Sequence, residues 1–145
     1  MDKKSKQQEL QEIVIEVENY KRRMEGMSRQ SQAINDMIIE LNSTIDALGG
    51  LSENKPGTAI LVPIGSNSFA RAELKDNERV IVGIGANISV EKTIADAKKS
   101  LETRIEEMKD TMEKIQKSAV EVNNRLLELN SEYERLIREM QEGRQ

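Results

Sequence analysis

Apolar residues recur at alternating three- and four-residue steps along both outer parts of this 145-residue chain, and that pattern limits what it can fold into. The first run is Leu10, Ile13, Val17, Tyr20, Met24, Met27, Ser31, Ile34, Ile38, Leu41, Ile45 and Leu48. This is the a/d seam of a left-handed coiled coil. Only Ser31 is polar, and Gly26 lies off the seam, so the helix should be softest around these two positions. The second run is Ile94, Ala97, Leu101, Ile105, Met108, Met112, Ile115, Ala119, Val122, Leu126, Leu129, Tyr133, Leu136 and Met140. The two four-residue steps from Ala97 to Ile105 are a stutter, which locally unwinds a supercoil. Each run predicts a helix about 60–75 Å long at 1.5 Å per residue. Two such helices cannot close into a globule.

Between them the pattern changes period. Ala59-Ile60-Leu61-Val62-Pro63-Ile64-Gly65, Phe69-Ala70-Arg71-Ala72-Glu73-Leu74, Val80-Ile81-Val82-Gly83-Ile84-Gly85 and Asn87-Ile88-Ser89-Val90 are four short strand-like runs. Gly, Asn, Asp and Ser separate them, as in two β-hairpins. Gly49-Gly50 should end the first helix, and the second should start near Glu91. The expected division is 1–50, a coiled-coil helix; 51–91, two hairpins; and 92–145, a second coiled-coil helix.

The simplest arrangement is an α+β chain in which the helices fold back as an antiparallel pair. Leu10 and Ile13 then lie beside Leu129 and Tyr133, and Ile45 and Leu48 beside Ile94 and Ala97. A connected partner helix is entropically easier to find than a separate chain. The runs Ile60–Ile64 and Val80–Ile84 are apolar on both faces and so require cover on both. One chain has little to offer them, and isolated hairpins are marginal in water with open edges. An obligate oligomer follows, with hairpins from several chains merging into a shared sheet or barrel. The expected oligomerisation residues are Ile60, Val62, Ile64, Phe69, Leu74, Val80, Val82 and Ile84.

Composition narrows the function. Charged residues make up 33% and aromatics 2%, a coiled-coil profile. The chain has neither Cys nor His, which removes thiol nucleophiles, disulfides, the usual general base and the commonest zinc ligand. No catalytic residues, metal or cofactor are expected. The formal net charge of −4 does not suggest nucleic acid as a partner. No apolar run approaches the ~20 residues that span a bilayer, and the N-terminus lacks the apolar centre of a signal peptide. A cytoplasmic, membrane-free protein is the expectation. Gly83-x-Gly85 lacks the third glycine and following helix of a nucleotide fingerprint. Lys3-Lys4-Ser5-Lys6, Lys98-Lys99 and Glu106-Glu107 read as solvated charge.

The run Leu61-Val62-Pro63-Ile64-Gly65-Ser66-Asn67-Ser68-Phe69-Ala70-Arg71-Ala72-Glu73-Leu74, followed by Val82-Gly83-Ile84-Gly85, resembles the α-class subunit of archaeal prefoldin. The plan of helix, two hairpins and helix is similar along the whole chain. Where family members often carry a Gly-containing turn, this chain has Ser66-Asn67, and Asn tolerates the left-handed conformation. The resemblance implies a hexamer of two α and four β subunits whose hairpins form an inter-subunit double β-barrel. It further implies an ATP-independent chaperone that holds unfolded proteins at the coiled-coil tips and passes them to a group II chaperonin.

The tips can also be read from the residues. Val14, Ile15, Leu127 and Ile137 are apolar yet off the seam, whereas mid-helix off-seam positions such as Lys21, Arg22 and Arg29 are polar. Apolar surface at a solvated end suggests that something binds there. The candidate capture surface is Leu10, Ile13, Val14, Val17, Leu129, Tyr133, Leu136, Ile137 and Met140. The competing reading is that these residues zip the helix ends together. A second function of the same architecture is a scaffold or filament-former whose arms dock one folded partner.

Overall fold

The computed structural model describes residues 5–143. Lys3 and Lys4, part of the basic N-terminal run, lie outside them. The element order is α1 (Lys6–Glu53), β1 (Ala59–Gly65), β2 (Ser68–Glu73), β3 (Arg79–Gly85), β4 (Ile88–Thr93) and α2 (Ile94–Glu142). Two compact units result. The terminal unit comprises Met1–Asn35 and Lys109–Gln145, and the hairpin unit Asp36–Met108.

Both helices follow the seam. Every α1 seam residue from Leu10 to Leu48 is buried or half-buried, and so is every α2 seam residue except Tyr133. Ser5 starts α1 with a capping box: its Oγ accepts from Gln8 N at 3.2 Å, and Gln8 Oε1 accepts from Ser5 N at 3.3 Å. Thr93 caps α2 with a single bond, its Oγ1 accepting from Asp96 N at 3.1 Å.

Two boundaries differ from the sequence expectation. The helix does not stop at Gly49-Gly50 but continues to Glu53. Tertiary packing overrides the glycines, because Leu51 in the extra turn packs on a core of Leu48, Ile94 and Ala97. Asn54 Nδ2 and Ser52 Oγ then bond the carbonyls of Gly50 and Gly49, groups that a helix end leaves without partners. Nor does α2 start near Glu91. Glu91, Lys92 and Thr93 belong to β4, paired with Ile81, Val80 and Arg79. The ladder takes the strand to the first residue of α2, with no linker.

In the terminal unit Ile13, Leu129 and Leu136 form the core, with Leu10, Val17 and Tyr20 packed against it. Lys6 pairs with Glu139 at 3.4 Å and Glu16 with Arg125 at 3.3 Å. As the α1 number rises its α2 partner's falls, so the helices run antiparallel. In the hairpin unit the end of α1 meets the start of α2 through Leu48, Ile94 and Ala97, as expected, and Val80 and Val82 of β3 pack onto this cluster with Leu101.

The hairpins form two separate two-stranded antiparallel sheets, β1-β2 and β3-β4. Neither closes a barrel within the chain. Each turns through two residues in the left-handed region, Ser66 and Asn67 in one (φ 49° and 58°) and Ala86 and Asn87 in the other (φ 50° and 60°). Such values mark the type I′ turn that matches strand twist. Each carries an irregularity in the same place, between Pro63 and Gly65 and between Gly83 and Gly85. The two hairpins are thus one design repeated. Leu74 N donates to Thr58 O at 2.9 Å, and Ile94 N to Glu78 O at 2.9 Å, extending each ladder by one pair.

Candidate interaction surfaces

The backbone parity of the hairpins decides which groups are open. Because Glu78 and Ile94 are a bonded pair, Val80 and Val82 also bond across to β4, while Arg79, Ile81 and Gly83 aim their N–H and C=O at the free edge. By the same count Ala59, Leu61 and Pro63 face the free edge of β1. Pro63 is tolerated in the strand because its missing N–H belongs to the edge and not the ladder.

The side chains then divide. On β3, Val80 and Val82 lie toward the helices, and Ile81, on the other face, is 78% exposed. Leu61, Val62, Ile64, Phe69, Ile84 and Ile88 are also exposed large apolar residues. Of the residues expected to oligomerise, Val62, Ile64, Phe69 and Ile84 are open, Ile60 is half-buried, and Leu74 is buried. Val80 and Val82 are half-buried against their own helices. Leu61, Ile81 and Ile88 were not singled out from the sequence, although the both-faces-apolar pattern of β1 and β3 already contained the first two.

The terminal unit divides similarly. Leu129 is 1% exposed, and Ile13 and Leu136 are buried with it between the helices. Leu10, Val17, Ile137 and Met140 are half-buried. Val14 is 50% exposed and Tyr133 39%, and Ile15, Leu127 and Val120 are exposed as well. Counting from the seam, Val14 and Ile137 occupy e positions, and Val120 and Leu127 b positions. In an antiparallel pair these fall on one side. The ion pair Glu16–Arg125 occupies g positions on the other. Hydrogen bonds from the guanidinium to Glu128 and then Glu16 raise the Arg125 pKa above its ordinary value. One side of the pair therefore carries Val14, Val120, Leu127 and Ile137 among polar residues such as Lys21, Asn130 and Glu134, and the opposite side carries the ion pair. Val120 was missed in the sequence because a single off-seam Val in mid-helix carries no pattern.

These features define a class: two long helices joined through two antiparallel hairpins, with large apolar side chains exposed in the hairpin unit and in the terminal unit. Known proteins agree. The family model described as "Prefoldin subunit" matches residues 20–139. A prefoldin subunit alpha of Methanopyrus kandleri is 38% identical over 102 residues, 70% of this chain and 65% of that protein. One of Methanoculleus marisnigri is 34% identical over 125 residues, 81% of this chain and 83% of the relative. Among solved structures, a filamentous PFD from Methanocaldococcus jannaschii superposes with a TM-score of 0.74 at 24% identity, covering 81% of this chain and 97% of that one. The chain belongs to the prefoldin subunit family, and its resemblance to the archaeal α class stands. No helix among the described residues is long and apolar enough to cross a membrane.

Proposed function

We propose that this chain is the α-type subunit of a cytoplasmic, hetero-oligomeric holdase, assembled with β-type prefoldin subunits as two α and four β. Its hairpins merge with those of its neighbours into inter-subunit β-barrels. The complex binds unfolded proteins without ATP and delivers them to a group II chaperonin. The observation that carries this reading is the row of exposed apolar residues on the hairpins, Leu61, Ile64, Phe69, Ile81, Ile84 and Ile88. A monomer rarely leaves so many large apolar side chains open on its strands, and rows of unpaired strand groups lie beside them.

The client surface is the set of exposed or half-exposed apolar residues of the terminal unit: Val14, Leu127 and Ile137 on one side, with the seam residue Tyr133 and the outward Ile15. Ile13, Leu129 and Leu136 hold the helices together and reach a client only if the pair parts. Extended apolar segments fit such a surface without sequence preference. The test is co-expression with a β-type subunit, the mass of the complex, and light scattering of a denatured protein diluted into it without nucleotide. Suppressed aggregation that is lost in Val14→Ser/Leu127→Ser supports the reading. Tight binding of one folded protein with no effect on aggregation would favour a scaffold instead.

A further inference from the structure

The seam of the helix pair changes character along the terminal unit. Toward the chain ends it rests on Ile13, Val122, Leu129 and Leu136, all buried. From Met24 to Ile34 on α1 and from Met112 to Ala119 on α2, every seam residue is half-buried and none is buried. That stretch holds Met24, Met27 and Met112. The ion pair Glu16–Arg125 fixes where they lie. The helices are antiparallel, so thirteen residues on from that pair Met112 is level with Arg29. The three residues therefore sit within about 8 Å along the pair, at 1.5 Å per residue. Gly26 lies in the same stretch and Ser31 just beyond it, the first weakening the helix and the second the seam.

A half-buried thioether is open to a small oxidant while the helices are still paired. Its sulfur lone pair attacks one oxygen of a peroxide, and the S–O bond forms as the O–O bond breaks. The proton on the transferred oxygen leaves with the departing hydroxide as water. The sulfur is oxidised by two electrons to a sulfoxide and the peroxide is reduced. A pliable apolar side chain has become a polar one. Burying such dipoles where apolar packing joins two helices is unfavourable. We propose that Met24, Met27 and Met112 form a peroxide-sensitive latch, whose oxidation parts the helices of the terminal unit. Beyond the latch, Ile13, Leu129 and Leu136 lose the continuous seam that aligns them and become accessible. This rests on the client-binding reading above and gives that surface a regulator, because these three are the residues a closed pair withholds. The core of the hairpin unit, Leu48, Ile94 and Ala97, contains no methionine and stays in place. Enzymatic reduction of the sulfoxides recloses the pair.

The test uses the full chain carrying Met108→Leu and Met140→Leu, exchanges that keep side-chain volume and confine seam oxidation to the latch. Met37, off the seam and 42% exposed, remains as the reference. Hydrogen peroxide is added, and the sulfoxide at each methionine is followed by peptide mass spectrometry. Met37 should oxidise first, with no change in binding of the hydrophobic dye ANS. Met24, Met27 and Met112 should follow, with dye binding rising several-fold. Amide exchange should quicken in 6–35 and 109–142 and hold in 94–105. Methionine sulfoxide reductases A and B, one for each epimer, should reverse these changes. Adding Met24→Leu/Met27→Leu/Met112→Leu should leave the chain folded and blind to peroxide. An equal rise in that variant, complete sulfoxide at the three positions without a rise, or equal loss of protection in 94–105 would each overturn the proposal. The aggregation assay separates the two claims. Opening without stronger suppression sinks the client-binding reading alone; suppression with dye binding unmoved by oxidation sinks the latch alone.

Discussion

The two hairpins share a turn type, a bulge position and a ladder register, yet they are seated differently. In β3-β4, Val80 and Val82 rest on the Leu48, Ile94 and Ala97 cluster. In β1-β2, Leu61, Val62, Ile64 and Phe69 are exposed. Hairpin 2 is held by its own helices. Hairpin 1 is tied to the rest of the unit through its base, where Asn77 Nδ2 donates to the Asn54 carbonyl at 2.9 Å and Leu74 is buried. Local sequence can specify a hairpin twice over, but what covers its faces is set by the neighbours. The same strand can thus serve as core in one copy and as interface in the other.

The largest expected effect tests the seat of hairpin 2. Ile94→Ala removes a buried side chain from the cluster and should cost the chain about 2–5 kcal/mol in urea unfolding. Phe69→Ala on hairpin 1 should change the stability of the chain alone by less than about 0.5 kcal/mol, while weakening the assembly measured by native mass spectrometry. A Phe69→Ala penalty as large as that of Ile94→Ala would mean that hairpin 1 is seated on its own chain after all. A smaller effect compares matched positions. Val82→Ala should cost about 1 kcal/mol and Val62→Ala much less in the chain alone. The smallest expected difference between the hairpins, zero by design, lies in the turns. Asn67→Ala and Asn87→Ala each force Ala into the left-handed region at roughly 1 kcal/mol. Unequal costs in thermal melts would show that the two turns are not the same structure.

Much of this fold was legible because spacing is a direct physical signal. A three-four alternation places residues on one helix stripe, and the stripe from Leu10 to Leu48 is where α1 is least exposed. The misplaced boundaries arose where tertiary contacts outvote local preference. Gly49-Gly50 reads as a stop, yet Leu51 beyond it gains a core to pack on. Glu91-Lys92-Thr93 looks like helix, yet its backbone has the β3 ladder to satisfy. The interaction surfaces were less legible. Seam and capture residues have the same chemistry, and only packing shows that Leu129 is enclosed while Val14 is open. Likewise, nothing local distinguishes Val82, which packs on the helix cluster, from its counterpart Val62, which is exposed.

The central claim is that hairpin 1 is completed by other chains. Amide hydrogen exchange of β1 and β2, followed by mass spectrometry on the dilute chain and on the assembled complex, tests it most directly. The account predicts fast exchange from Ala59 to Glu73 in the dilute chain and strong protection of the same segment in the complex. Equal, strong protection of that segment in a dilute monomer would contradict it.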